Sequence, residues 1–210
     1  MKNKLLIFFK TLLISLILIS CGEINKLENI NNILLFGDSL MSGYGLKEDQ
    51  TLSIILENDL KEAGYNIKII NGSVSGDTSE DGLDRIDEYT SDSDVDLIIL
   101  GLGANDMLRR INPDQTENNL RKIIEIIKTK NIKIILAGMK ASPTNGLAYK
   151  KKFDDIFPKL AEEYDLTLIP FLLKKVALNP KLNQSDGIHP NFEGAKVISE
   201  TIKESIINFD

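Results

Sequence analysis

Ile33-Leu34-Leu35-Phe36-Gly37-Asp38-Ser39-Leu40 opens with four consecutive apolar residues and breaks abruptly into a Gly-Asp-Ser turn. An uninterrupted apolar run of this length predicts a strand covered on both faces rather than one that alternates between core and solvent. Similar runs recur at residues 67–70, 97–100, 132–137 and 167–169. Helical patterns separate them, at residues 52–63, 79–89, 113–130 and 148–164, with a last one from about Phe192. The clearest begins with Asn112 as N-cap, Pro113 at the first helical position and Gln115 two residues on. Its Leu120, Ile123, Ile124 and Ile127 form one apolar stripe at helical spacing, and the last helix places Ala195, Ile198, Ile202 and Ile206 likewise. Strand and helix in strict alternation predict an α/β fold with one parallel five-stranded sheet between helical layers.

Residues that suit no core position follow the strands. After the first strand comes Gly37-Asp38-Ser39-Leu40, and after the second Asn71-Gly72-Ser73-Val74-Ser75-Gly76-Asp77-Thr78. After the third comes Gly101-Leu102-Gly103-Ala104-Asn105-Asp106, while Asp186-Gly187-Ile188-His189-Pro190 precedes the final helix. In an open parallel sheet the turns after the strands share one edge, and ligands bind there. Each segment alone has a plain structural reading. Gly-Asp-Ser is ordinary turn chemistry, Gly76 a turn glycine, Asn105 a helix N-cap, and His189 a cap for the last helix. Asp38 and Asp106 read as structural acids bonding loop amides.

The chain holds one His and one Cys in 210 residues, which bounds its chemistry. One Cys forms no intramolecular disulfide, and one Cys with one His cannot supply the three or four nitrogen and sulfur ligands of a usual zinc site. A serine hydroxyl needs a positioned base, itself oriented by a third group. His189 is the available imidazole, Asp186 stands three residues before it, and Ser39 is the candidate nucleophile. The backbone N–H groups of Ser39 and Gly76 and the amide of Asn105 are suitable donors for an oxyanion. Rival motifs fail: Met41 stands where the G-x-S-x-G elbow needs Gly, Asp106 replaces the third Gly of a dinucleotide fingerprint, and no Walker A motif occurs. Asp92, Asp94 and Asp96 alternate as in a calcium loop, but Leu97 occupies the position that requires Gly.

Together the segments resemble the SGNH, or GDSL, hydrolase family, from about Ile33 to the C-terminus. Ser39 falls in G-D-S-L, Gly76 in S-G-D-T, Asn105 in G-A-N-D and His189 in D-G-I-H-P. Within it, the stretches ILLFGDSLMSGYGL, NGSVSGDTSEDGLDRI and LNQSDGIHPN are similar to a bacterial branch of arylesterases, acyl-CoA thioesterases and lysophospholipases. The resemblance implies a three-layer α/β/α, flavodoxin-like sandwich and hydrolysis of esters or thioesters without a cofactor. It implies Ser39 as nucleophile, His189 as base and Asp186 as its orienting acid, with Ser39, Gly76 and Asn105 forming the oxyanion hole. Ser142-Pro143-Thr144-Asn145-Gly146 matches loosely the loop that lines the acyl site in that branch. Two other functions fit the same cleft: a carbohydrate O-deacetylase of this family, and a non-catalytic lipoprotein binding lipid or glycan.

The N-terminus carries Lys2, Lys4 and Lys10 and then an uncharged apolar run, residues 11–20, the layout of a secretory signal. Leu18-Ile19-Ser20-Cys21 resembles the lipobox of bacterial lipoproteins, which implies lipidation of Cys21 and a membrane anchor in the cell envelope. The expected division is a signal peptide over residues 1–20, a polar tether over 21–32 and one hydrolase domain over 33–210. Loss of the three leader lysines moves the net charge from −6 to −9. An acidic chain with no basic patch beyond Lys150-Lys151-Lys152, which reads as a solvated helix face, carries no nucleic-acid footprint and leaves a small-molecule or lipid ester as the expected partner.

Overall fold

Five parallel strands form one sheet in the order β2-β1-β3-β4-β5. They are β1 (Asn32–Gly37), β2 (Lys68–Asn71), β3 (Leu97–Gly101), β4 (Lys133–Ala137) and β5 (Thr167–Ile169). The computed structural model describes residues 27, 29–91 and 94–209. Every residue of β3 is buried, as its unbroken apolar run requires of a central strand with helices on both faces. The expected helices stand as α2 (Leu52–Glu62), α3 (Ser79–Thr90), α5 (Pro113–Thr129), α6 (Leu147–Tyr164) and α7 (Phe192–Ile207). Helices α2 and α7 pack together as one layer, while α5 lies between α3 and α6 in the other, so the architecture is the three-layer α/β/α sandwich. Caps set the boundaries: Thr78 and Asp81 form a reciprocal capping box on α3, and Asn112 and Asn191 accept N–H bonds at the starts of α5 and α7.

Two α-helices are additional to those expected, α1 (Ser39–Ser42) and α4 (Ala104–Leu108). Both are too short to show a helical period, and both lie directly beyond strand ends. Asp38 caps α1 by accepting from Leu40 N–H, and Gly43, at φ 88°, ends it. The cap of α4 is Gly103, at φ 112°, so Asn105 is not the N-cap and sits inside the helix. Likewise Asn191, not His189, caps α7. The tether reading also needs correction, because Leu27 and Ile30 are buried in the core and the packed chain begins ahead of Ile33. Asp96 secures that entry by accepting the N–H bonds of both Asn31 and Asn32. Cys21, the signal segment and Asp92 lie outside the described residues.

The register places the site. Gly37 at the end of β1 pairs with Gly101 at the end of β3, so the turns that follow emerge side by side. Met41 of α1 is fully buried against both ends. A Cβ on Gly37 would stand 2.6 Å from its sulfur and 2.8 Å from the Gly101 carbonyl oxygen. The missing side chains let the helix bearing Ser39 settle onto the sheet edge.

Candidate active site

Ser39 begins α1, and His189 reaches it from a loop 150 residues later in the chain. The His189 Nε2 to Ser39 Oγ distance is 2.9 Å, and Nδ1 stands 2.6 Å from Asp186 Oδ2. Asp186 Oδ1 accepts from the backbone N–H groups of Ile188 (2.8 Å) and His189 (3.0 Å), which fixes the turn that presents the imidazole. The His189 side chain first, then those two amides, pull the Asp186 pKa from 3.8 down to about 2. An ionised Asp186 requires the proton on Nδ1, so Nδ1–H donates to the carboxylate and Nε2 accepts from the serine hydroxyl. The loop is braced from outside. Gln184 Nε2 donates to the carbonyls of Pro190 (2.9 Å) and Tyr44 (2.8 Å), and the Tyr44 ring lies 4.5 Å from the imidazole between centroids.

The three expected donors lie beside this relay. Asp38 takes the Leu40 N–H on Oδ1 and those of Met41 and Ser42 on its carbonyl, and Ser39 N–H has no acceptor among the described residues. Gly76 is the third residue of a turn closed by Asp77 N–H to the Val74 carbonyl (3.2 Å). Its φ of 94° is the left-handed value that a turn residue in this position needs. The Gly76 N–H is also without an acceptor among the described residues. Asn105 Nδ2 donates to the Asp77 carbonyl at 2.9 Å, which spends one amide hydrogen and leaves the other. The Ser42 and Ser75 hydroxyls meet at 2.8 Å, which joins the Gly76 turn to the helix carrying Ser39.

The model of the GDSL-like lipase/acylhydrolase family matches residues 35–197, a span that includes Ser39, Gly76, Asn105, Asp186 and His189. The chain belongs to that family. An arylesterase of Vibrio mimicus is 34% identical over 195 residues, which cover 93% of this chain and 97% of that one. The thioesterase 1/protease 1/lysophospholipase L1 of Escherichia coli K12 is 34% identical over 176 residues, covering 84% and 83%. Among solved structures, the psychrotrophic esterase EstA from Pseudoalteromonas sp., inhibited by monoethylphosphonate, superposes with a TM-score of 0.81 at 28% identity, covering 85% of this chain and 98% of that one.

Other groups support the site of this GDSL-family chain without having been singled out as functional. Asp106 is buried as a structural acid, accepting from Ser79 N–H (2.8 Å), the Ser79 hydroxyl (2.5 Å) and the Thr116 hydroxyl (3.0 Å). Asp38 is buried too, but its Oδ2 has no partner among the described residues, and burial pushes its pKa up to about 7. Asn145, in the 142–146 segment, donates to the Met107 carbonyl at 2.8 Å, so that segment stands against α4. Sequence reasoning missed Arg85 altogether. The available signal was a lone cation on an otherwise acidic α3, Ser79-Glu80-Asp81-Gly82-Leu83-Asp84-Arg85-Ile86-Asp87-Glu88.

Proposed function

We propose that the protein is a serine ester hydrolase that cleaves carboxylic ester or thioester bonds through an acyl-enzyme on Ser39. The observation that carries this reading is the unbroken path Asp186–His189–Ser39 beside N–H groups of Ser39 and Gly76 that have no acceptor among the described residues. Ser39 Oγ attacks the substrate carbonyl carbon as its proton passes to His189 Nε2, and the carbonyl electron pair moves onto oxygen. Ser39 N–H, Gly76 N–H and the free Asn105 amide hydrogen stabilise that oxyanion. The intermediate collapses by breaking the bond to the alcohol or thiol, which leaves with the proton from Nε2. Water then attacks the acyl-enzyme, gives a proton to Nε2, and the acid departs as Ser39 Oγ regains that proton. Asp186 holds the imidazole in the required tautomer throughout.

Exposed apolar side chains adjoin each component: Tyr44 beyond α1, Val74 on the Gly76 turn, Leu108 on α4 and Ile188 beside His189. Such a rim suits substrates with an apolar acyl group, such as simple acyl esters, lysophospholipids or acyl-CoA. The basic, then apolar, N-terminus and the Leu18-Ile19-Ser20-Cys21 segment support export and a lipid anchor on Cys21, placing the enzyme in the bacterial cell envelope. Intact-mass analysis of the membrane-extracted protein, beside Cys21→Ala, tests the anchor. For the chemistry, Ser39→Ala must abolish both turnover of p-nitrophenyl acyl esters and labelling by a fluorophosphonate. Persistent labelling would place the nucleophile elsewhere.

A further inference from the structure

We infer that Arg85 is a positioning residue of the oxyanion hole, one guanidinium tied to residues from which all three donors are aimed, while Arg109 Nη2 separately holds the Gly76 carbonyl at 2.7 Å. The inference rests on the reading of Ser39, Gly76 and Asn105 given above. Arg85 Nε donates to Asp77 Oδ2 at 2.6 Å, Nη1 to the Gly72 carbonyl at 2.6 Å and Nη2 to the Gly37 carbonyl at 3.2 Å. Its side chain is 15% exposed and lies over the Phe36 ring at 4.1 Å, with the Tyr89 ring 5.6 Å away. Packing against β1 and its own helix leaves the fork few alternative orientations.

Each acceptor leads to a different donor. Gly37 is the last residue of β1, two before Ser39, so holding its carbonyl fixes the strand exit that sets the Ser39 N–H direction. Gly72 and Asp77 bracket the segment containing Gly76, and both of its ends are tied to the same guanidinium. The carbonyl of Asp77 receives the Asn105 amide, so the third donor takes its place from a residue Arg85 already holds. A Lys in this position would keep the charge but offer a compact ammonium without the planar fork that matches three separated acceptors. Arg85 contacts the scaffold of the donors rather than the reacting atoms. Its effect should therefore appear in transition-state binding, where small misplacements are costly.

The test uses Arg85→Lys and Arg85→Met in the full chain, with functional Ser39 counted by exhaustive fluorophosphonate titration. Per titrated serine, kcat on a p-nitrophenyl ester should fall by roughly 10- to 100-fold while KM stays near wild type. Affinity for a trifluoromethyl ketone, which forms a tetrahedral adduct, should fall in parallel with kcat/KM. In an Asn105→Ala background the Arg85→Lys loss should shrink, because one of the donors it aims is already gone. Wild-type kcat per titrated serine, an unchanged ketone affinity, or a fully additive double variant would each overturn the proposal. If neither Arg85 variant folds, Asp77→Asn loosens the Nε contact alone. It should lower kcat without raising KM, and wild-type kinetics there would be equally fatal. Turnover by Ser39→Ala would remove the functional reading itself, whereas a dead Ser39→Ala with normal Arg85 variants would remove only the role of Arg85.

Discussion

Asp38→Asn should reverse its effect on stability between pH 4 and pH 8. Asp38 is fully buried, its Oδ1 accepts from Leu40 N–H at 3.0 Å, and its Oδ2 has no partner among the described residues. Burial raises its pKa from 3.8 to about 7 against the lowering effect of the Leu40 N–H, and the charges of Asp106 and Asp77 add to the rise. Between those values the folded chain holds a proton that the unfolded chain releases. Stability is therefore full below about pH 4 and is lost as pH rises towards 7, at about 1.4 kcal/mol per pH unit. Across that interval the ionisable Asp38 costs the native state about 4 kcal/mol. Asn keeps an oxygen for Leu40 N–H and cannot ionise, but it places an unpaired amide at the Oδ2 position, a cost of about 1–3 kcal/mol at any pH. The variant should be less stable than wild type near pH 4, where Asp38 is still protonated in the folded chain and partly so in the unfolded one, and more stable at pH 8. Urea unfolding of both proteins at intervals from pH 4 to pH 8, followed by circular dichroism, measures the difference directly. A stability difference that does not vary with pH would refute the reasoning, whatever its size.

Asn105→Ala should lower kcat by roughly 10²–10³, the usual loss for one oxyanion donor, with a smaller effect on KM in steady-state ester hydrolysis. Asp186→Asn offers an amide where Nδ1–H needs an acceptor and so favours the wrong tautomer. A kcat loss on the order of 10⁴ is expected from the equivalent change in a serine protease triad, with the fold intact by circular dichroism. Gly76→Ala meets no close atom, since its Cβ would lie 3.9 Å from Arg109 Nη2, but it must adopt a φ of 94°. The strain, about 1–2 kcal/mol, should appear as a lower midpoint in urea together with reduced kcat, and an unchanged midpoint would contradict it.

The parts of the fold legible in the sequence were those with enough residues to show a period. Strand β3 and helix α5 announce themselves because Leu97-Ile98-Ile99-Leu100 is buried throughout and Leu120, Ile123, Ile124 and Ile127 share one buried face. Helices α1 and α4, four and five residues long, are defined by caps on Asp38 and Gly103 and carry no pattern of their own. Leu27 and Ile30 sit among polar neighbours, so only tertiary packing distinguishes them from a tether. The five site residues were legible because parallel topology forces the turns after β1, β2 and β3 onto one edge, and a lone His leaves one choice of base. Arg85 was not, because a cation in mid-helix reads as solvent-facing until its three acceptors, from Gly37 to Asp77, are seen in space.

The two halves of the site are built differently. Ser39 and the proposed oxyanion donors stand beyond the ends of β1 and β3 and on the turn after β2, joined through Asp77 and Arg85 into one unit with the sheet. His189 comes from a segment without strand neighbours, held by the Asp186 turn, the Asn183–Pro190 bridge and the two Gln184 amide bonds. Only one of those Gln184 bonds, to the Tyr44 carbonyl, crosses to the nucleophile side. Gly45 is what allows it, since a Cβ there would collide with the Gln184 amide. Local opening costs least where backbone contacts are few and exposed. The loop of the proposed base is bonded mainly within itself, by Gln184 N–H to the His189 carbonyl (2.8 Å) and Asn191 N–H to the Leu182 carbonyl (2.9 Å), so few contacts besides their own hydrogen bond link His189 to Ser39. The hydrogen bond between them is thus the joint on which the relay depends, and Gln184 is the tie that spans it.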